Sequence, residues 1–357
     1  MSILVKTSVR IPILFSAFLA VGSPTAHAEE APWTLNLYFE NDLFSETDQN
    51  YTNGVRASWV SPNVESYLED ERLPEWTRDL NQYLPLFDPS DMEDSNVQRN
   101  LVLSLGQQIY TPTDVDRYTV DPNDRPYAGW LYGSIAYHSR TKNKMNTAEL
   151  SLGIVGPWAL GEQAQDSIHG LRGFKKFNGW DNQLKNEPGF QLVYEHKNRV
   201  SKGYITPLLE YDTILHGGLS LGNVATYANG GAEFRFGWNL PEDFGTSALR
   251  SGGDNSAPGL GDGRYQRGSR NHNLGVHAFI SMDGRWVLQD IFLDGNTFRD
   301  SHSIDKENLV GETAFGVAAL YHGWKISFAR VHRSREFKGQ DKGHSFGSFS
   351  LSYSYSL

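Results

Sequence analysis

The sequence predicts an all-β fold: a closed antiparallel transmembrane β-barrel of about 12 strands, with short helical segments in its loops. Three observations predict it. The last nine residues, FSLSYSYSL, alternate without a break, with Phe349, Leu351, Tyr353, Tyr355 and Leu357 on one parity and Ser350, Ser352, Ser354 and Ser356 on the other. A strand of that pattern has one apolar, aromatic face and one polar face. Residues 1–28 carry Lys6 and Arg10, an apolar stretch from Ile11 to Val21 and then Ala26-His27-Ala28, the form of a secretory signal that leaves a mature chain from Glu29. Beyond that segment no run approaches the ~20 apolar residues of a membrane-spanning helix, so a span has to be made of strands.

Alternation and turn punctuation mark twelve segments: 33–42, 51–61, 99–111, 127–140, 146–156, 188–199, 203–216, 227–239, 272–289, 309–322, 324–335 and 345–357. The first is representative, with Trp33, Leu35, Leu37 and Phe39 alternating against Thr34, Asn36, Tyr38 and Glu40. An even count suits closure. Residues 64–86 read as an amphipathic helix split at Pro74, 161–184 as a second helical segment, and 242–270, rich in Gly, Ser and Asp, as a loop. With the N-terminus on the periplasmic side, the connections near 43–50, 112–126, 157–187, 217–226, 290–308 and 336–344 lie outside. The long segments 62–98 and 240–271 then lie in the periplasm.

Composition narrows the chemistry. The 35 Gly, 17 Tyr, 19 Phe and 9 Trp suit tight turns and aromatic girdles, and the mean hydropathy of −0.49 is compatible with strands that hide their lipid face by alternation. There is no cysteine, so no disulfide and no thiol nucleophile. Without residues 1–28 the chain carries 30 Lys and Arg against 42 Asp and Glu, which disfavours nucleic acid. Local basic clusters, Arg172, Lys175 and Lys176, and Arg333, Arg335 and Lys338, remain available to anionic lipid.

Two places carry residues suited to catalysis. By parity Asp42 and Thr52 flank the first outer loop on the lumen side, and Asn41 points away from it; a carboxylate among amide and hydroxyl oxygens suits a hard cation. In GEQAQDSIHGLRG, Gln165, His169 and Arg172 share one helical face while Ala164, Ile168 and Leu171 form the apolar face for packing. A histidine so placed suits a general base for water. There is no G-x-S-x-G elbow and no H-E-x-x-H zinc motif, and a Ser/His pair on the outer wall would have to involve His138-Ser139 or His216.

At END (40–42), NYTNG (50–54), GQQIYTP (106–112), DRPYAG (124–129), GIVGP (153–157), Q-x-x-x-H (165–169) and GWDNQL (179–184), the chain resembles the outer-membrane lipid A 3'-O-deacylase family. The resemblance implies a twelve-stranded barrel in the bacterial outer membrane with its active site at the extracellular rim. It implies a Ca2+-dependent ester hydrolase acting on lipopolysaccharide, removing the 3' acyl (acyloxyacyl) group of lipid A without an acyl-enzyme. His169 matches the family's base, Asn41, Asp42 and Thr52 match its polar active-site residues, and Gln165 matches the residue one turn before the histidine. Arg117 aligns with a basic position suited to a lipid A phosphate, and Arg172 and Lys175 are further candidates for the substrate. One departure stands out: a branch of the family has a calcium-site glutamate six residues after the histidine, where this chain has Lys175. Glu187 or Asp181 then takes the place of that carboxylate beside Asp42, or Lys175 contacts substrate. A phospholipase of the same membrane, or a non-enzymatic barrel serving as a narrow pore or anchor, are the alternatives.

Overall fold

A computed structural model of the chain describes residues 32–42, 50–81, 97–173, 175–246, 257–259, 262, 264 and 274–355, the side chains of 50, 80, 81, 171 and 172 excepted. The signal segment 1–28, the last residue Leu357 and the first outer loop at 43–49 lie outside the described residues.

Twelve antiparallel strands close on themselves: β1 (Trp33–Asn41), β2 (Asn50–Val60), β3 (Gln98–Thr111), β4 (Ala128–Arg140), β5 (Lys144–Val155), β6 (Glu187–Thr206), β7 (Leu209–Gly222), β8 (Ala225–Trp238), β9 (Leu274–Asp290), β10 (Leu309–Tyr321), β11 (Trp324–Arg333) and β12 (His344–Tyr355). The closing pair is β1 with β12, in register from Trp33 opposite Tyr355 to Asn41 opposite Gly347. Closure removes both sheet edges, and no described helix is long and apolar enough to cross a membrane.

Side chains alternate as the closing strand predicts. Ser348, Ser350, Ser352 and Ser354 are buried inside, where Ser352 donates to Asn36 and Ser348 to Glu40 across the seam. Outward, Leu35, Leu37, Leu105, Leu152, Phe190, Leu219, Met282, Trp286, Phe315 and Phe328 stand exposed, the belt expected of a wall that meets lipid.

The lumen is filled with paired charges. Near the rim where β8 ends, segment 239–246 folds inward; Asp243 bonds Arg235 at 2.6 Å, Lys325 at 2.6 Å and Arg264 at 3.0 Å, and Arg235 also bonds Asp212. Burial pushes the Asp243 carboxyl up, but these three cations hold it well below the usual carboxylate range. Arg56 meets Glu149 at 3.2 Å in the middle. Towards the other rim Glu336 bridges Arg125 and Arg333, above a cavity of about 100 Å³ lined by Tyr51, Tyr110, Phe292 and Asp290.

Three predictions change. The break read between 199 and 203 is not a turn: β6 runs on to Thr206, and register shifts between Arg199 and Ser201 and between Tyr204 and Thr206 interrupt its alternation. The connection between β7 and β8 therefore shrinks to 223–224. Residues 64–86 give only one described helical stretch, α1 (Glu75–Asn81), beginning after Pro74; Val64, Tyr67 and Leu73 pack with Leu101, Ile135 and Tyr137 of the wall. The segment 161–184 is α2 (Gly161–Arg172) followed by an extended stretch and a 3-10 turn, Trp180–Asn182. A further short helix, α3 (Ile291–Asp294), lies in the connection after β9.

Candidate active site

The segment after β5 turns back onto the barrel, and α2 lies against the outward face of β3 and β4. The contact is close because Gly129 of β4 has no side chain: a Cβ there would stand 3.2 Å from the Cβ of Ala159 and 3.3 Å from the backbone of Gly161. The side-chain amide of Gln107, an outward position of β3, donates to the carbonyl of Ala159 at 2.6 Å. Ile109, Tyr127, Phe177 and Trp180 form the apolar floor, with Ala164 of α2 packed on it. The helix ends at Gly173, in the left-handed region at φ 71°, whose N–H bonds the carbonyl of His169.

Gln165 and His169 are 3 % and 2 % exposed, while Ile168 is only half-buried. The sequence reading had Ala164, Ile168 and Leu171 pack: Ala164 does, the Leu171 side chain lies outside the described residues, and the polar pair is buried more fully than Ile168. His169 Nδ1 lies 2.6 Å from the carbonyl oxygen of Lys175, an atom that only accepts, so the proton sits on Nδ1. Nε2 then carries the lone pair, and the Gln165 side-chain amide donates to it at 2.8 Å. The ring stands edge-on to Phe177, 4.8 Å between centroids, which fixes its plane.

The wall beneath carries the other polar residues. Tyr51 pairs with Tyr110 and Asn53 with Ile109, so Thr52 is the extra residue of a β-bulge. Parity alone places Thr52 in the lumen. The bulge turns it instead to the side of Thr111, to whose hydroxyl it bonds at 2.7 Å, and Thr111 shares the outward parity of Ile109 and Leu105. Asn41 lies opposite Asn53 and Asn53 opposite Ile109, which packs in the same cluster as Phe177. Asn41, Asp42, Thr52, Asn53 and Thr111 are all at most 3 % exposed. Asn53 and Thr111 were missed as candidates, although both stand inside the motifs NYTNG and GQQIYTP.

This corner can hold a hard cation. The Asn53 side-chain oxygen is buried without a hydrogen-bond partner. Asn53 lies in register with Asn41, next to Asp42 in the chain, and follows Thr52, so amide, carboxylate and hydroxyl oxygens are available to an ion here. Among the described residues no three His, Cys, Asp or Glu cluster as a metal site, so such an ion would rest on one carboxylate and neutral oxygens.

Other candidates lie elsewhere. The Glu187 carboxylate caps the backbone N–H groups of Thr297 and Phe298 at 3.0 and 3.2 Å, which commits it to the connection after β9 and removes it from this corner. Asp181 is exposed on its 3-10 turn. Arg117 is half-exposed and paired with Asp121 at 2.6 Å. Lys175 contributes its backbone carbonyl to His169 while its side chain is exposed; the side chain of Arg172 lies outside the described residues. His138 and Ser139 are neighbours on one strand and point to opposite faces, so they cannot pair, and His216 bonds Asp283 at 2.8 Å inside the barrel.

Comparison with known proteins follows the same lines. The family model described as outer membrane protein LpxR matches residues 13–355. Among solved structures, LpxR from Salmonella typhimurium superposes with a TM-score of 0.67 at 16% sequence identity, covering 90% of this chain and 99% of that one. The β domain of the Bordetella autotransporter BrkA reaches 0.43 at 10% identity, covering 92% of this chain and 100% of that one. A sequence search of curated proteins finds no match.

Proposed function

The chain belongs to the outer membrane protein LpxR family, the lipid A 3'-O-deacylases of the outer membrane, and from that premise we propose that it hydrolyses the ester-linked 3' acyl group of lipid A with His169 as general base. The single observation that carries the assignment is the histidine's wiring: Nδ1–H held by the Lys175 carbonyl, Nε2 under a neutral amide donor. That arrangement fixes the tautomer and leaves one lone pair for a proton.

In the reaction a water replaces the Gln165 amide at Nε2. His169 takes its proton as the oxygen attacks the ester carbonyl, and the resulting imidazolium gives that proton to the departing sugar oxygen as the carbon–oxygen bond breaks. The products are a free carboxylic acid and an alcohol, with no acyl-enzyme. The Thr52 and Thr111 hydroxyls and the Asn41 amide line the wall where the carbonyl oxygen gains charge. A Ca2+ ion, held by Asp42 and Asn53, would supply electrostatic stabilisation of that oxygen.

The outward position of the site fits a membrane lipid. Below Asn41 the same face of β1 runs Phe39, Leu37, Leu35, a path on which acyl chains can lie without leaving the bilayer. The rim bearing α2 then faces the cell exterior, where lipopolysaccharide resides, and the filled lumen is not the route to the site.

Mass spectrometry of lipid A from cells producing the protein, with and without EDTA, tests this reading. The expected result is loss of the 3'-linked acyl group, prevented by EDTA. Unchanged lipid A beside shortened phospholipids would replace the deacylase with a phospholipase.

A further inference from the structure

The exposed outward face of the described strands is mostly apolar. Among the exposed outward positions of the described strands, Arg330 of β11 is the only arginine, and Lys144, at the turn between β4 and β5, is the only lysine. Arg330 is set among hydrophobes. Phe315 stands directly opposite it on β10, Phe328 precedes it on the same face, and Phe328 is level with Phe349 of β12 and, one strand further, Phe39 of β1. It makes no ion pair with any described carboxylate, in contrast to Arg333, Arg335 and Lys338 nearby, which meet Glu312, Glu307 and Asp305.

An arginine on the lipid face of a barrel is unfavourable, most at mid-bilayer and less towards the interface, so an unpaired one calls for an anionic partner that the membrane itself provides. Its long stem can lift the guanidinium to the headgroup level. The planar fork suits phosphate oxygens better than any other lipid group.

Register ties Arg330 to the site. Arg330 lies opposite Gly347, and Gly347 lies opposite Asn41. Two interstrand steps separate them, about 10 Å, and the residue between has no side chain. Two positions outward, His332 shares the face and its Nδ1 bonds Ser345 at 3.1 Å.

We infer that Arg330 binds a phosphate of the glycolipid substrate from the lipid side and so sets the sugar backbone across β12, with the scissile ester at Asn41 and His169. This deepens the deacylase reading and rests on it for the ester; the phosphate contact rests on the wall alone. Arg330 is a positioning residue, acting on the far end of the substrate from the reacting atoms.

The test uses the full-length protein in bilayer nanodiscs, with R330A, R330K and, as a charge control in the loop, R335A. Deacylation is measured on phosphorylated lipid A and on the same lipid after phosphatase treatment. Loss of one charge-assisted contact raises KM of R330A for the phosphorylated lipid about tenfold to a hundredfold, with the effect falling on KM rather than kcat. R330K recovers part of the loss, R335A matches the wild type, and wild type and R330A converge on the dephosphorylated lipid. An unchanged KM in R330A, an equal rise on both lipids, or an equal rise in R335A would overturn the inference.

If the wild type deacylates neither lipid, the deacylase reading fails and binding decides separately. Native mass spectrometry then compares phosphorylated lipid A retained by wild type and R330A. Retention lost in R330A upholds the phosphate site, and equal retention removes it. Migration of unheated samples on gels confirms that each variant is a folded barrel.

Discussion

The barrel buries two polar clusters, and they are built in opposite ways. In the lumen Asp243, Arg235, Asp212, Arg264 and Lys325 neutralise one another through contacts of 2.5–3.0 Å, leaving each charge several partners. On the outward face Gln165, His169, Thr52 and Asn53 set one histidine among neutral amide and hydroxyl groups, and the one basic lone pair is covered by a neutral amide. A closed network of opposite charges is stable because nothing in it can be exchanged without exposing an ion to a low-dielectric interior. A site of neutral donors around one histidine can release a contact and take water or an ester instead. The lumen therefore fills and braces the barrel, and the proposed chemistry belongs to the wall.

Breaking the brace gives the largest effect on the fold. Asp243→Asn leaves Arg235, Lys325 and Arg264 short of their shared carboxylate, and removal of one partner from such a buried set costs about 3–5 kcal/mol. The expected outcome is a lower urea midpoint for loss of the unheated gel band, with activity lost only in proportion to the folded fraction. Normal stability with lost activity would erase the distinction between the two clusters.

Gln165→Leu acts on the other cluster. It removes the amide at Nε2 while keeping the shape, so kcat falls by about tenfold through a mispositioned ring and water, without a change in stability. An unaffected kcat would make Gln165 a packing residue. A filled contact under the helix sharpens the same point: Gly129→Val pushes against Ala159 and Gly161, lifts α2 from the wall and lowers activity while the twelve strands persist.

The smallest effect is in acid. Glu336 is pushed up by burial but held down to about 2 by Arg125 and Arg333. Its folded value lies below its ordinary 4.5, so its contribution to stability is complete above pH 4.5 and is lost as pH falls towards about 2. Glu336→Gln is expected to flatten the stability profile of the barrel between those limits while leaving the neutral-pH activity in place. A profile identical to the wild type would remove Glu336 from the account.

The strands were legible because a barrel wall repeats one rule, and ten of its eleven connections are punctuated by Gly, Pro, Asn or Asp or by loops too polar to be strand. The exception, 199–206, failed where bulges break that rule. The site was legible as a set of residues and illegible as a place. Thr52 changes sides by one inserted residue, and α2 buries Gln165 and His169 more fully than Ile168, since the Lys175 carbonyl and the Phe177 ring meet the histidine from the following segment, which no helical wheel can show. Glu187 could not be told from a ligand without seeing the two N–H groups it caps.

Two histidines, one on each face, test the account most directly. His169 lies under α2 on the outside, and His216 bonds Asp283 inside. Lipid A is analysed by mass spectrometry after production of wild type, His169→Gln and His216→Gln, each confirmed as a folded barrel. The account predicts removal of the 3' acyl chain by wild type and His216→Gln and none by His169→Gln. Deacylation by His169→Gln, or its loss only in His216→Gln, would move the chemistry into the lumen and contradict it.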